Sequence, residues 1–186
     1  MKDLFLNLKN EDLDELKMES YSLINNEEYQ NYFLQKSSQE HYRLLTFLSN
    51  YFDGVSFVDV GTLLGCSALA LAANKTNKVY SFNLTDQLQL KEKPQNVEFI
   101  VDDVMSDKYK EIILDSKIIL LDTFHTGDFE LIFLNYLKKI NYNGILILDD
   151  IRLNNEMSQF WETINEDKME ITNLGHVSGT GVVFFD

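Results

Sequence analysis

A single cysteine, Cys66, in a chain of 186 residues excludes an intrachain disulfide and points to a reducing, cytoplasmic setting. Basic residues are also few, 16 Lys and Arg against 30 Asp and Glu, for a formal net charge of −14. They are scattered rather than grouped in a stripe that could neutralise phosphates, which argues against nucleic acid and against an anionic membrane surface as partners. No apolar run approaches the length of a bilayer span, and the opening MKDLFLNLKNEDLDE lacks the apolar centre of a signal peptide, so the expectation is a chain used whole. Glycine and proline are absent from residues 1–51, where Leu13, Leu16, Tyr21, Leu23 and Ile24 recur at helical spacing. A helical N-terminal segment follows, serving as lid, oligomer contact or cover for a core over residues 52–186. There are no repeats, low-complexity tracts or linkers, and 45% apolar content is ordinary for one globular domain over 1–186.

What is present is regular alternation. Ser37 or Ser38 followed by Glu40 or His41 predicts a helix over 38–51, with Tyr42, Leu44, Leu45, Phe47, Leu48 and Phe52 as its apolar face. The aromatic stripe of Tyr21, Tyr29, Tyr32 and Phe33 reads as core. After Asp53-Gly54, short β-branched runs at 56–60, 78–82, 97–101, 117–121 and 144–148 read as parallel strands covered on both faces. Helical stretches near 65–74, 84–91, 105–114 and 128–139 supply the crossovers. A helix at 152–165 leads to strands 168–174 and 181–185, which a short loop makes antiparallel neighbours. The only proline, Pro94, falls in a polar loop where its missing N–H is harmless. The predicted fold is α/β: a Rossmann-like, doubly wound, seven-stranded sheet, mostly parallel, with a C-terminal antiparallel hairpin and a helical N-terminal extension.

The junction 57–73, FVDVGTLLGCSALALAA, is strand, tight turn and helix. Its glycines admit close backbone approach, and the first N–H groups of the helix favour an anion. A dinucleotide fingerprint needs glycine where Leu63 stands, which counts against a nicotinamide-dependent oxidoreductase. Ligands of such sheets bind beyond the carboxyl ends of the parallel strands. Those ends carry Asp59, Asn83, Asp102-Asp103, Asp122 with His125, and Asp149-Asp150, all on one edge. Asp122, Asp149 and Asp150 form an all-oxygen set suited to Mg²⁺ or another divalent cation. His125 is the candidate base, since imidazole titrates near neutrality. Plainer readings stand beside these: Asp149 and Asp150 as helix caps with Asp122 paired to Arg152, Asp103 and Asp128 as N-caps, Cys66 as a packing residue, and His176 packed against its glycine-rich loop.

Acid-x-Gly-x-x-x-Gly resembles motif I of the class I S-adenosylmethionine-dependent methyltransferases. The order of motifs, EHYRLLTFLS before it, LDTFH after the fourth strand and GHVSGTG near residue 180, is similar to that of compact metal-dependent O-methyltransferases of the catechol and macrocin types. The resemblance covers residues 38 to 186 and implies S-adenosylmethionine as cofactor. It implies cofactor contacts at Asp59, Gly61, Thr62, Gly65 and Ser67, at Asn83, and at Asp102 and Asp103. It implies a metal at Asp122, Asp149 and Asp150, His125 as catalytic base, and His176 as a contact for a small-molecule or sugar hydroxyl. There are two departures. Asn83 stands where the family places an acid for the ribose hydroxyls, unless Asp86 reaches in, and Asp150 replaces the asparagine of the catechol type. Asn83 is also the feature that favours a non-catalytic, methyltransferase-fold binding protein. The apolar N-terminus makes a homodimer an expectation.

Overall fold

The short, nearly continuous apolar runs form the parallel strands they predict. A computed structural model describes residues 2–185. Strands β1 (Ser56–Val60), β2 (Lys78–Asn83), β3 (Val97–Val101), β4 (Ser116–Leu121), β5 (Ile145–Leu148), β6 (Asp167–Glu170) and β7 (Gly181–Phe184) make one sheet of order β3-β2-β1-β4-β5-β7-β6. The first five are parallel, and β7 runs antiparallel between β5 and β6. Strand β6 therefore shares the direction of β5, and the loop after it emerges on the carboxyl edge of the parallel strands.

Helices α1 (Lys2–Asn7), α2 (Asn10–Asp14), α3 (Glu27–Leu34), α4 (Tyr42–Tyr51), α5 (Cys66–Leu71), α6 (Lys110–Asp115), α7 (Asp128–Lys139) and α8 (Asn155–Thr163) cover both faces, with 3₁₀ turns at Glu19–Leu23 and Asp107–Tyr109. Alternate strand residues serve opposite cores. Phe57, Val79, Ile118 and Ile145 pack with α4, α5 and the N-terminal residues Phe5, Leu13, Met18, Ile24 and Phe33. Val58, Ile119 and Leu146 pack with Ile113, Phe133, Leu137, Phe160 and Trp161 from α6, α7 and α8. Most of the N-terminal segment thus completes one core layer. Arg43 anchors it, donating to the carbonyls of Leu13, Asp14, Leu16, Leu34 and Gln35 at the ends of α2 and α3. Among the described residues no helix is long and apolar enough to cross a membrane.

Several local predictions are corrected. Residues 84–91 are not a helix. The Asn25 N–H donates to Gln89 O at 3.0 Å, the Lys91 N–H donates to Leu23 O at 2.8 Å, and Ile24 and Leu90 form an antiparallel bridge, so pairing with a distant segment overrides local helix propensity. The predicted helix 38–51 starts at Tyr42. Ser38 has φ +68, and Ser37 caps nothing, donating instead from its N–H (2.9 Å) and hydroxyl (3.1 Å) to Asp14 Oδ1. Gly127 (φ +78), not Asp128, is the N-cap of α7, and a Cβ on it would lie 2.9 Å from Glu156 O. Strand β6 ends at Glu170. Of the aromatic stripe only Phe33 is fully buried, while Tyr21 is exposed.

Candidate active site

The carboxyl ends of β1 to β4 open on a cavity of about 660 Å³ lined by Gly61, Asn83, Asp102, Asp103, Asp122 and His125, with Val60, Phe82 and Phe129 among its apolar walls. Gly61 forms the turn at its base. At φ +111, a Cβ on this residue would lie 1.6 Å from Asp122 O, so only glycine lets the turn pass beneath the end of β4. The Gly61 and Thr62 N–H groups both donate to Phe82 O, at 2.9 and 3.2 Å.

Asp59, Thr62, Gly65 and Ser67 do not line this cavity. The pleat explains why: Asp59 shares the face of Phe57, opposite Val58 and Val60. Ser81, its partner in register, donates to Asp59 Oδ2 at 2.5 Å and meets Thr62 Oγ1 at 2.5 Å. These residues form a buried polar network under the turn. Burial pushes the Asp59 carboxyl up to about 6, against the opposing pull of the Ser81 and Ser67 hydroxyls. Gly65 is closed off by Leu88 and Leu90. Cys66 is buried, and burial pushes its thiol up to about 12, as suits a packing residue.

Asn83 donates from Nδ2 to Thr85 O at 2.9 Å, which leaves its amide oxygen as the acceptor. Asp86 does not compensate for it. It does not line the cavity, and its Oδ1 accepts the Leu88 N–H at 3.3 Å. Asp102 accepts from the Asp103 N–H (2.8 Å), the Tyr109 hydroxyl (3.0 Å) and Lys108 (2.5 Å). Asp103 Oδ1 accepts the Met105 N–H at 2.9 Å, so it both lines the cavity and fixes the turn behind it.

Beyond β4, β5 and β6 the chemistry changes. All three histidines of the chain meet three aspartates there. His125 Nε2 lies 3.3 Å from Asp122 Oδ1 and 3.4 Å from Asp150 Oδ2. His41 Nδ1 lies 3.2 Å from Asp149 Oδ1, and His176 Nδ1 lies 2.8 Å from Asp150 Oδ1 and 3.5 Å from Asp149 Oδ2. The loop carrying His176 is tied down on both sides. The Arg152 N–H donates to Ser178 O at 2.8 Å, the Val177 N–H to Gln39 O at 3.3 Å, and the Ser178 hydroxyl to Asp150. The predicted pairing of Asp122 with Arg152 is absent, since Arg152 binds Glu162 and Glu170.

The expected all-aspartate metal set is also rearranged. Among the described residues, the groups whose ligand atoms lie within 4.8 Å of one another are His41, Asp149 and His176, not Asp122, Asp149 and Asp150. A histidine approaches each carboxylate, and Asp149 and Asp150 share His176.

The electrostatics follow from this pairing. Burial alone would lower His41, but Asp149, Asp122 and Glu40 raise it to about 9. The same contest ends with His176 raised to about 11 by Asp149, Asp150 and Glu40. His125 is raised as well, loss of water being outweighed by Asp122 and Asp150. Asp149 stays well below the usual carboxylate range despite its burial, because His41 and His176 face it. Asp122 is pushed up by loss of water and by Asp149. Backbone strain marks the same place. His125 (φ +53) and Asp150 (φ +58) both hold left-handed conformations. The His125 N–H donates to Glu130 Oε1 at 2.9 Å and its carbonyl accepts Asn154 Nδ2 at 2.8 Å, so both ends of the strained residue are held.

No family model and no curated protein matches the chain by sequence. By structure it is similar to a structural-genomics protein from Corynebacterium glutamicum, with TM-score 0.60 and 13% identity over 100% of this chain and 97% of that one. It is similar to a Staphylococcus aureus protein provisionally named a caffeoyl-CoA O-methyltransferase, with TM-score 0.59 and 12% identity over 78% and 82% of the two chains. It is also similar to the SAH-bound Podospora anserina methyltransferase PaMTH1, with TM-score 0.56 and 14% identity over 78% of each chain. The chain has the class I methyltransferase fold. Within that fold, residues singled out by no strand-end reading complete the site: His41 and Glu40 before α4, Ser178 beside His176, and Glu130 and Asn154 around His125. The signal was available for His41, one of only three histidines, standing next to an acid in EHYRLL.

Proposed function

We propose that this protein transfers a methyl group from S-adenosylmethionine to a hydroxyl of a small-molecule or sugar acceptor. The observation that carries this reading is His125, a strained residue on the wall of the cavity with its Nε2 between Asp122 and Asp150. The residues present fit the cofactor. The cavity has the size of a small-molecule site, and Gly61 leaves space at its base that any Cβ would fill. Asn83 offers an acceptor at the end of β2, and Asp102 and Asp103 line the wall beyond it. When bound, S-adenosylmethionine supplies a methyl group on a sulfonium centre that needs no further activation.

What the chain must supply is a positioned, nucleophilic oxygen. His125 takes the proton of the acceptor hydroxyl at Nδ1, and Asp122 and Asp150, which face Nε2, stabilise the imidazolium that forms. The exposed side chains of Leu63, Leu84 and Phe124 on the cavity wall cover the apolar part of the acceptor. Assistance by a divalent cation belongs to the same reading.

Calorimetric titration with S-adenosylmethionine and S-adenosylhomocysteine, with NADH as control, tests the proposal. Micromolar binding of the first two and none of NADH is the expected result. No binding of either sulfur ligand overturns it in favour of the non-catalytic alternative, which the neutral Asn83 supports.

A further inference from the structure

His41 is 3% exposed and Asp149 4%, yet neither ring nitrogen of His41 nor Asp149 Oδ1 has a well-formed hydrogen bond. Buried polar atoms left in this way are costly unless something occupies the space between them. The separations of 3.2 Å from His41 Nδ1 and 3.5 Å from His176 Nδ1 to the two Asp149 oxygens bracket the edge of a tetrahedral shell. Bonds of about 2.0–2.1 Å around such an ion place ligand atoms about 3.3 Å apart. The opposite ring nitrogens point the same way. His41 Nε2 lies 4.0 Å from Asp122 Oδ2, and His176 Nε2 lies 3.6 Å from Glu40 Oε1. Each imidazole has Nδ1 toward Asp149 and a second carboxylate beyond hydrogen-bond reach on its Nε2 side, the side from which outer carboxylates support metal-bound histidine.

We propose that His41 Nδ1, His176 Nδ1 and the Asp149 carboxylate hold a first-row transition-metal dication of the Zn²⁺ type in preference to Mg²⁺. Two imidazoles and one carboxylate are a borderline donor set, whereas Mg²⁺ selects oxygen. Asp150 gives up its contact with His176 Nδ1 and keeps the Ser178 hydroxyl. Three protein ligands are the number of an open zinc site, with a position left for water or an acceptor oxygen. That use by an acceptor rests on the methyl-transfer reading; the binding itself does not.

The test is titration of the chelator-treated full chain with Co²⁺ and then Zn²⁺, without cofactor. One equivalent of Co²⁺ giving a visible d–d band that Zn²⁺ bleaches is the expected result, with Mg²⁺ unable to compete. His176→Ala, checked for folding by circular dichroism, weakens Zn²⁺ binding by more than about 100-fold, and Glu40→Gln by about 10–100-fold. No Co²⁺ band and no Zn²⁺ heat up to millimolar concentration overturns the site, as does Zn²⁺ binding unchanged in the folded His176→Ala variant or equal competition by Mg²⁺. S-adenosylhomocysteine binding, measured on the same sample, separates the two ideas. Its retention beside absent metal binding removes this site alone, and its loss beside intact metal binding removes the methyl-transfer reading alone.

Discussion

The two halves of the strand-end edge are built on opposite terms. Beyond β1, β2 and β3 lies an open cavity with a glycine turn at its base, where Asp102 and Asp103 are tied to backbone N–H groups and to Lys108. Beyond β4, β5 and β6 lies a closed knot in which three histidines are set against Asp122, Asp149, Asp150 and Glu40. The first half is an open hollow, and the second is dense in paired charge. His125 and Asp122 belong to both, since they line the cavity and sit in the knot. The comparison assigns the N-terminal segment to the second half, because α4 begins beside His41 and so brings an imidazole to the sheet edge.

Perturbing the halves separately should separate binding from chemistry. The largest effect is expected for His125→Asn, which lowers methyl transfer by about 10²–10⁴-fold while S-adenosylhomocysteine binding is kept; tritiated-methyl transfer and calorimetry read the two quantities. Because Asp122 and Asp150 raise the pKa of His125, its basic form is reached only as pH climbs past the ordinary imidazole value near 6.5. The rate should therefore rise with pH through a limb above 6.5, and Asp150→Asn should move that limb downward.

Gly61→Ala strikes the junction of the halves. Its Cβ would meet the Asp122 backbone, so a loss of more than about 3 kcal/mol in urea unfolding is expected together with lost cofactor binding. Gly54, at φ +66 in open space, serves as the control, and alanine there should cost about 1 kcal/mol.

Asp59→Asn tests the network beneath the cavity. Asp59 is raised to about 6 in the folded chain from an ordinary 3.8, so the unfolded chain releases this proton first. Stability then falls as pH rises from about 4 to about 6 and stays reduced above that. Removing the charge should recover about 3 kcal/mol at pH 7 and nothing below pH 4; melting curves at the two pH values give the answer, and an equal change at both would refute it. The smallest effect is expected for Asn83→Asp. A charged acceptor for a ribose hydroxyl should tighten S-adenosylmethionine about five- to tenfold, and unchanged affinity would show that Asn83 takes no part in binding.

How much of this was legible in the sequence depends on the range over which each feature is determined. The parallel strands and their acid-bearing ends were readable, because burial on both faces writes itself into five apolar runs. The role of Asp59 was not inferred, although the pleat held the information: it falls two residues after Phe57 and so faces the same core. The irregular course of 84–91 was invisible, since pairing with residues 23–25 sets it and nothing local does. His41 was taken for part of a helix start, as its burial against Asp149 depends on where α4 meets the end of β5. The strand-end acids located the edge correctly, yet only the packed chain shows which imidazole answers which acid.

The Gln39 carbonyl, which accepts the Val177 N–H, has a consequence for assembly. It joins the approach to α4 to the loop between β6 and β7, two stretches that the chain makes nearly a whole sheet apart. Closing so long a loop is slow and comes late in folding. His41 and His125 precede the end of β5 in the chain, whereas His176 arrives only with the β6–β7 loop. The cluster around Asp149 is therefore complete only when the last strand pair of the sheet is in place.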